Sequence, residues 1–487
     1  MRLLVSVRQL VARIRVAPSA AEPAPAAKQR RERRPKGHVA PAFATRPVLA
    51  PHAPALMQIE RGILERFRAQ MCAALQDQLD LLAATEGDAS KPVCCGRPMS
   101  YHDRRGVPCV SWMGSVRIRC RRVRCSICKR ECRPLLEQLG VEPGQPSGLL
   151  ARLLSVLGCV VPYPLAAELA WQVLGVKVNA MTVWRAVQRL GEAAARHSEA
   201  ISAYHADPSA QVLPPAGAPD AIVVAVDGCA LGMQVRPKRR RRKTPDEVLP
   251  ALPAVEEGHF REVKTGVLLL PADRVRLSPE RRGLVRRVVV TCLGDANALF
   301  DRLWAELSER GWCGVNTVVA VVGDGAEWIW NRAAMFPKRC EILDFWHAIE
   351  YAWAYARLQF GEGSRNAERW VHRVAEDLKV GKVQEVIARL KNLHPNSQQS
   401  LEALEALRKY YTDNASRMRY DEYLRLGYGI GSGAVESAHK QVVHARLRQA
   451  GMRWSELGAR RLLALRLLLL NGDWATTERL RMVPFAA

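Results

Sequence analysis

Two runs of apolar residues, most of them β-branched, place the strongest limits on how this chain folds. Residues 222–226 (IVVAV) lead into Asp227, and residues 318–323 (VVAVVG) lead into Asp324. Consecutive apolar residues of this kind are typical of strands that are buried on both faces. Asp-Gly follows each run, and one such pair alone would indicate only a turn. Two of them predict two strands that each end on a carboxylate at the end of an α/β sheet.

Other strands and helices are indicated around these two runs. Residues 260–272 and 286–294 have the pattern of strands, and residues 295–311 have helical periodicity. Residues 340–361 are typical of a strand that continues into a helix, and the chain is almost entirely helical in pattern from there to residue 470. The sequence therefore predicts an α/β sheet domain with a helical addition.

A third acid stands in a basic stretch. Glu436 follows a glycine turn at the start of a predicted helix, with Lys440 and Arg446 close behind it. Carboxylates that meet at one end of a sheet repel one another unless a cation joins them, and hard divalent ions prefer oxygen ligands. We therefore predict a site in which Asp227, Asp324 and Glu436 bind two Mg²⁺ or Mn²⁺ ions for chemistry at a phosphodiester.

The charge balance predicts a polyanionic partner. The chain has 73 Lys+Arg against 48 Asp+Glu, which gives a formal net charge of +25. Nucleic acid is the commonest partner of such a protein, although the excess could also lie on disordered arms. The most basic run, residues 236–243, is predicted to be a mobile loop that contacts DNA phosphates or is simply solvated. Its central residues are Arg239, Arg240, Arg241 and Arg242.

Cysteines cluster in one short segment, because seven of the thirteen lie between Cys94 and Cys132. The pair Cys125 and Cys128 has the two-residue gap of a zinc knuckle, and Cys94 with Cys95 offers two further ligands. Adjacent residues of a strand point to opposite faces, so both could bind one ion only at a turn. The cluster predicts Zn²⁺, with a set of reduced structural thiols as the alternative. Substitute ligands are His102, Cys109, Cys120 and Cys132.

Residues 163–197 are predicted to form two helices around a short turn, with Asn179 as the N-cap of the second. A helix-turn-helix has this layout and places its second helix in the major groove of DNA. Two packed helices of an ordinary helical domain are the alternative. The residues predicted to face outward and contact DNA are Thr182, Arg185, Gln188 and Arg189.

Four motifs resemble those of the RNase H-like DDE transposases, and more narrowly the bacterial insertion-sequence transposases of the ISKra type, which are distantly Mutator-like. They are VVGDGAEWIWN, ILDFWHAIEYAW, IGSGAVESAHK and AGMRWS. The resemblance implies that Asp227, Asp324 and Glu436 are the three catalytic acids in order. The long separation of the last two implies an inserted helical domain.

Asp344 and His347 match an auxiliary motif of these relatives, in which a Cys or Asp precedes a His by three positions. Chemistry alone favours a core position for His347. The resemblance implies instead that the pair contacts DNA near the cleaved bond or positions a catalytic acid.

These observations predict an α/β protein whose RNase H-like core is interrupted by an all-helical insertion and preceded by a zinc-ribbon-like module and a helix-turn-helix. The predicted domains are a disordered basic arm (1–55), a helical segment (56–90), the cysteine-rich module (91–135), the helix-turn-helix domain (136–205), the first part of the core (220–350), the helical insertion (351–427) and the C-terminal core helices (428–475).

The predicted function is that of a DNA transposase, which binds the ends of its element as a homo-oligomer and carries out strand cleavage and strand transfer. The alternatives are a non-catalytic DNA-binding protein on the same scaffold and a nuclease without strand transfer. No convincing secretory signal is present, and the longest apolar run is too short for a bilayer. We therefore expect a reducing, cytoplasmic location on the bacterial nucleoid and no membrane partner.

Overall fold

The computed structural model describes residues 54–86, 91–207, 217–234, 259–278 and 282–482. The chain divides into two units, Met1–Glu65 and Arg66–Ala487. Helix α1 (Ala55–Ala84) begins in the first unit, where the sequence predicts a helical segment. The predicted basic arm lies almost wholly outside the described residues, and so do Arg239, Arg240, Arg241 and Arg242.

A small antiparallel module follows helix α1. Strand β1 pairs with β2, while β3, β4 and β5 form a sheet in that order. Apolar residues alternate along one face of the β3–β4 hairpin and pack against α1 and a short helix, α2. The bounds are β1 (Val93–Cys94), β2 (Arg97–Pro98), β3 (Ser100–Val110), β4 (Ser115–Arg124), β5 (Glu131–Cys132) and α2 (Pro134–Gln138).

Three helices come next, α3 (Gly148–Val160), α4 (Tyr163–Leu174) and α5 (Ala180–Ala206). The Asn179 side chain accepts a hydrogen bond from the backbone N–H of Thr182 at 2.8 Å, which confirms its predicted role as an N-cap. The two predicted helices and their short connection are therefore present.

A mixed five-stranded sheet carries the predicted acids. Its order is β10–β7–β6–β11–β12, in which β6, β11 and β12 are parallel and β6, β7 and β10 are antiparallel. Residues 222–226 of β6 and 319–322 of β11 are buried, as predicted for central strands. The bounds are β6 (Ala221–Gly232), β7 (Phe260–Leu269), β10 (Val288–Leu293), β11 (Val318–Gly323) and β12 (Arg339–Leu343), and a separate pair is formed by β8 (Arg274–Arg276) and β9 (Arg282–Leu284).

Helices cover the sheet and fill most of the chain between β12 and the third acid. Helix α6 packs against β7, β10 and α5, whereas α8 packs against α9 and α11. No helix in the described ranges is long and apolar enough to cross a membrane. The bounds are α6 (Ala296–Glu309), α7 (Glu327–Ala333), α8 (Phe345–Phe360), α9 (Arg365–Lys379), α10 (Val383–Lys391), α11 (Gln398–Asn414) and α12 (Tyr420–Arg425).

The C-terminal part returns to the sheet through α13 (Gly433–Ala438) and a π-helix (His439–His444). A short turn, α14 (Ala445–Leu447), and helix α15 (Glu456–Leu470) follow. The buried Arg466 of α15 donates hydrogen bonds to the backbone oxygen of Val442 at 2.7 Å and to those of Cys159 and Gln441. One guanidinium group thereby ties the π-helix to the end of α3.

Replacing Arg466 with Met should destabilise the protein by about 3 kcal/mol, because two buried carbonyl groups and one partly buried carbonyl group would lose their donor. Arg460 lies on the same helix, is exposed and pairs with Glu456 at 3.7 Å. Its replacement with Met should cost about 0.5 kcal/mol or less. Urea unfolding followed by circular dichroism measures the free energy of unfolding of both variants. Equal values would contradict the structural role of the Arg466 hydrogen bonds.

Candidate metal centres

The register between β6 and β11 brings the first two predicted acids together. Val322 pairs with Ala225 in the parallel ladder, and Asp324 and Asp227 each lie two residues further on. Neighbouring strands are about 4.8 Å apart, so the two carboxylates leave the sheet side by side on one face. The prediction that the first strand ends at Asp227 is wrong. Strand β6 continues to Gly232 because β7 pairs with it over that length.

The third acid lies on a helix that packs against the same part of the sheet. Helix α13, which carries Glu436, contacts both β6 and β7. The Glu436 side chain is exposed, and the Ser432 hydroxyl donates a hydrogen bond to its Oε1 at 3.5 Å. The carboxylate is therefore close to Asp227 while remaining open to solvent.

Asp344 is held by backbone donors from two segments. It is fully buried, and its Oδ1 accepts hydrogen bonds from the backbone N–H groups of Trp346 at 2.7 Å and His347 at 2.9 Å. Its Oδ2 accepts from the backbone N–H of Ser432, four residues before Glu436. Asp344 thus caps helix α8 and anchors the turn that leads into α13.

A histidine that the sequence did not single out lies beside Asp227. His439 is 4% exposed, and its Nδ1 is 3.5 Å from Asp227 Oδ2. Burial, together with His444 and Arg448, lowers the pKa of His439 to about 4, so the ring is neutral at pH 7. Its position three residues after Glu436, on the same helical face, is the signal that could have identified it. His347 is half-buried, with Nδ1 3.3 Å from Glu350.

Burial and the two neighbouring acids destabilise the charged form of Asp227. Burial raises the pKa of Asp227 to about 6, and the nearby charges of Asp324 and Glu436 add to that increase. The backbone N–H of Gly228, which donates to Asp227 Oδ1 at 2.7 Å, opposes it. A divalent cation bound between these carboxylates would offset their mutual repulsion.

The spacing of the acids is wider than that of ligands around a single ion. Among the described residues, the only group of three or more potential ligands with all donor atoms within 4.8 Å of one another consists of cysteines. Two ions about 4 Å apart can be held by carboxylates that do not all contact the same ion.

The cysteine group has the arrangement of a zinc site. The sulfur of Cys94 is 3.5 Å from that of Cys128 and 4.0 Å from that of Cys95, and Cys125 completes the group. Zn–S bonds of about 2.3 Å in a tetrahedron correspond to sulfur–sulfur separations of about 3.8 Å. Cys95 and Gly96 have positive φ angles of 50° and 74°, and they form the turn that brings the two adjacent thiols together.

Cys125 and Cys94 differ in how readily their thiols ionise. The backbone N–H groups of Cys128 and Ile127 lower the pKa of Cys125 to about 6. Hydrogen bonding with Cys128, and then with Cys125, raises the pKa of Cys94 to about 12. One thiolate forms readily near neutral pH, and a bound cation would displace the remaining protons.

The substitute ligands considered in the sequence lie outside this group. Cys109 and Cys120 are buried in the apolar cluster between the hairpin and α1. The Cys132 thiol lies 3.7 Å from the sulfur of Met99, and His102 is exposed. The structure therefore favours the quartet of Cys94, Cys95, Cys125 and Cys128 as the zinc ligands.

Two predicted DNA contacts of α5 are buried. Gln188 is 2% exposed and Arg189 is 6% exposed, so the prediction that they face outward is wrong. This part of α5 packs against α15, where Arg461 donates a hydrogen bond to Gln188 Oε1 at 3.3 Å. Arg189 pairs with Glu142 at 2.5 Å. Gln188 therefore links α5 to α15, and Arg189 links α5 to the loop that precedes α3.

Arg446 is also a structural residue. It is 1% exposed, donates to the backbone oxygen of Gly158 at 3.0 Å and lies over two aromatic rings. The prediction that it contacts DNA is wrong, because α14 packs against α3 and encloses it. Arg185 and Lys440 are exposed and Thr182 is half-buried, and their contact with DNA stays a prediction.

The sequence matches no protein-family model and no curated protein. Among solved structures it is similar to "Drosophila P element transposase strand transfer complex", with a TM-score of 0.27 and 10% sequence identity. The similarity covers 70% of this chain and 96% of that chain. At this level of similarity, the function has to be inferred from the residues of the site.

Zinc analysis tests the cysteine centre. Full-length protein purified without chelator should contain about one zinc per chain, and replacing Cys125 or Cys128 with Ser should remove it. Cys132→Ser is the matched control and should keep the metal. Zinc that remains in the Cys128→Ser protein, or that is lost equally from the Cys132→Ser protein, would contradict the assignment.

The raised pKa of Asp227 predicts that, without a divalent cation, the free energy of unfolding decreases as the pH rises. Between its ordinary value of 3.8 and about 6, the folded protein keeps a proton that the unfolded chain has released. The extra proton stabilises the folded protein. The stabilisation is complete below pH 3.8 and is lost as the pH rises through about 6. Asp227→Asn does not titrate, so its stability should rise relative to wild type between pH 5 and pH 7.5.

Urea unfolding at these two pH values, without added divalent cation, measures the difference. Glu327→Gln, which changes an exposed acid, should follow the wild-type pH dependence. Parallel behaviour of wild type and Asp227→Asn would show that Asp227 ionises normally.

Proposed function

We propose that this chain is a DDE transposase, which binds the ends of a DNA element, cleaves a strand and transfers the released end to target DNA. The observation that carries the proposal is the convergence of three acids on one part of the sheet. Strand register sets Asp227 beside Asp324, and the helix of Glu436 packs against β6 and β7. The net charge of +25 suits a DNA partner.

The architecture supports an RNase H-like core. Three antiparallel strands and two parallel strands form one sheet, with the first strand of the sheet, β6, at its centre. The two strand acids lie on β6 and directly after β11. Helices α9 to α12 separate β12 from the third acid, as expected for a helical insertion within such a core.

Asp227, Asp324 and Glu436 would hold two Mg²⁺ or Mn²⁺ ions. Such ions lower the pKa of an attacking oxygen and stabilise the charge on the leaving oxygen of a phosphodiester. The protein itself contributes the position and charge of the carboxylates. Burial of Asp227 excludes much of the surrounding water, and this strengthens electrostatic interactions at the site.

Neighbouring residues orient the acids. The neutral His439 can donate a hydrogen bond to Asp227, and Asp344 fixes the turn before Glu436. The Tyr410 hydroxyl donates to the backbone oxygen of Asp324 at 2.6 Å, which ties helix α11 to the second acid. Lys440 is exposed one turn after Glu436, where it could contact a DNA phosphate.

A non-catalytic DNA-binding protein would have no use for this arrangement. The mutual repulsion that helps to raise the pKa of Asp227 costs stability, and a purely binding scaffold gains nothing from it. A nuclease without strand transfer would use the same acids. One experiment distinguishes a transposase from a nuclease. Full-length protein is incubated with Mg²⁺, with DNA that carries the sequences flanking its reading frame, and with a target plasmid. Joined products support a transposase, and cleavage alone supports a nuclease.

Glu436→Gln keeps the shape of the side chain but removes the charge that binds a cation. Strand cleavage in Mg²⁺ should fall by at least about a hundredfold, because a lost or misplaced ion removes several kcal/mol of transition-state stabilisation. Affinity for DNA should stay near that of the wild type. Asp227→Asn and Asp324→Asn should behave in the same way.

Glu327→Gln is the matched control, because Glu327 is an exposed acid on α7, three residues after Asp324. Its cleavage rate should stay close to that of the wild type. If the Glu436→Gln protein cuts DNA at the wild-type rate, Glu436 has no role in catalysis.

A further inference from the structure

We propose that the open face of the β3–β4 hairpin binds the phosphate backbone of duplex DNA through three alternating arginines, Arg117, Arg119 and Arg121. These residues are called the arginine row below. The proposal rests on the proposed function for its partner and identifies a contact surface outside both metal centres.

The hairpin has one covered face and one open face. On β4, Val116, Ile118 and Cys120 belong to the apolar cluster that includes Leu79 and Ala83 of α1. Successive side chains of a strand point to opposite faces, so the arginine row lies on the face away from that cluster. Accordingly, Arg117 and Arg119 are exposed, and Arg121 is half-buried.

Arg117 and Arg119 have no acid directly across from them on β3. Directly across on β3, Pro108 faces Arg117 and Gly106 faces Arg119, whereas Arg104 faces Arg121. Like charges directly opposite one another on a sheet are destabilising. Glu86 offsets Arg104 at one end of the row, at 3.9 Å. An anionic ligand along the open face would stabilise the remaining positive charge.

The acids of the hairpin serve a different arginine. Arg122 points to the opposite side from the row and pairs with Asp103 at 2.6 Å and with Glu131 at 2.9 Å. The module therefore separates its charges, with neutralised arginine on one side and an excess of positive charge on the open face.

Arg117 is positioned by contacts with its neighbours. A Cβ atom on Gly106 would lie 2.7 Å from Cδ of Arg117, so the stem of Arg117 lies across this glycine. The Gln76 side chain of α1 accepts from the backbone N–H of Arg117 at 2.9 Å and donates to its oxygen at 3.0 Å. This pair of bonds holds the backbone of β4 at Arg117 against α1.

The spacing of the row suits a nucleic-acid strand. Alternate residues of a strand are about 7 Å apart, which is twice the axial rise of about 3.4 Å per phosphate along one strand of duplex DNA. Each guanidinium can therefore meet a different phosphate, to which it can donate two hydrogen bonds. Contacts with phosphates do not discriminate between base sequences, but they set the orientation of the protein on the duplex.

The test compares two triple variants of the full-length protein, in which the row is replaced by three Gln or by three Lys. Affinity for a 30-bp duplex is measured from about 50 to 200 mM salt, and the slope of log affinity against log salt is compared. The Gln variant should lose about 2 to 3 units of slope, at about 0.9 per phosphate contact. The Lys variant keeps the charge and should retain most of the slope.

Zinc content and circular dichroism should be unchanged in both variants, because the arginine row lies outside the apolar cluster and the cysteine quartet. A slope that is unchanged in the Gln variant, while wild-type protein still binds the duplex, overturns the surface and leaves the proposed function intact. Failure of wild-type protein to bind any duplex overturns both. An equal loss of slope on single-stranded DNA overturns the assignment to a duplex.

Discussion

Parallel pairing between β6 and β11 sets Asp227 and Asp324 at the same level of the sheet, and the rest of the site is arranged around that pairing. A shift of one residue in this register would move Asp324 relative to Asp227 and would turn it to the opposite face. The ladder runs from Val318 opposite Ala221 to Val322 opposite Ala225, and both strands are buried in the core. Core packing and the geometry of the acids therefore depend on the same residues.

A chain of buried polar contacts then places the third acid, although it is far away in sequence. Asp344 follows β12, which pairs in parallel with β11, so the carboxylate that caps α8 lies at the level of Asp324. Its bond to the backbone of Ser432 holds the turn before α13. Arg466 holds the π-helix that follows the third acid. A π-helix is frequent at functional sites, and here it contains His439, which lies beside Asp227.

The sequence predicted the features that depend on local pattern. The apolar runs before Asp227 and Asp324 form adjacent strands, and Asn179 caps its helix. The gap between Cys125 and Cys128 suggested a metal site, and the structure brings four thiols together there. These predictions hold because strand burial, capping and ligand spacing are set by residues that are close in sequence.

Features that depend on distant packing were missed. Gln188 is buried by Arg461, 273 residues further along the chain, and Arg446 is buried against Gly158, 288 residues before it. Single-sequence periodicity contains no information about such partners, so a polar residue on a predicted outer face was assigned to DNA. The continuation of β6 past Asp227 was missed for the same reason, because it depends on pairing with β7.

The central claim is that the three acids form one site for two divalent cations. Anomalous diffraction from crystals of the full-length protein soaked in Mn²⁺ tests it most directly, since Mn²⁺ prefers oxygen ligands to thiolates. We expect two manganese peaks about 4 Å apart, with carboxylate oxygens of Asp227, Asp324 and Glu436 as ligands. Density that shows no manganese between these acids, or manganese bound to only one of them, would contradict it.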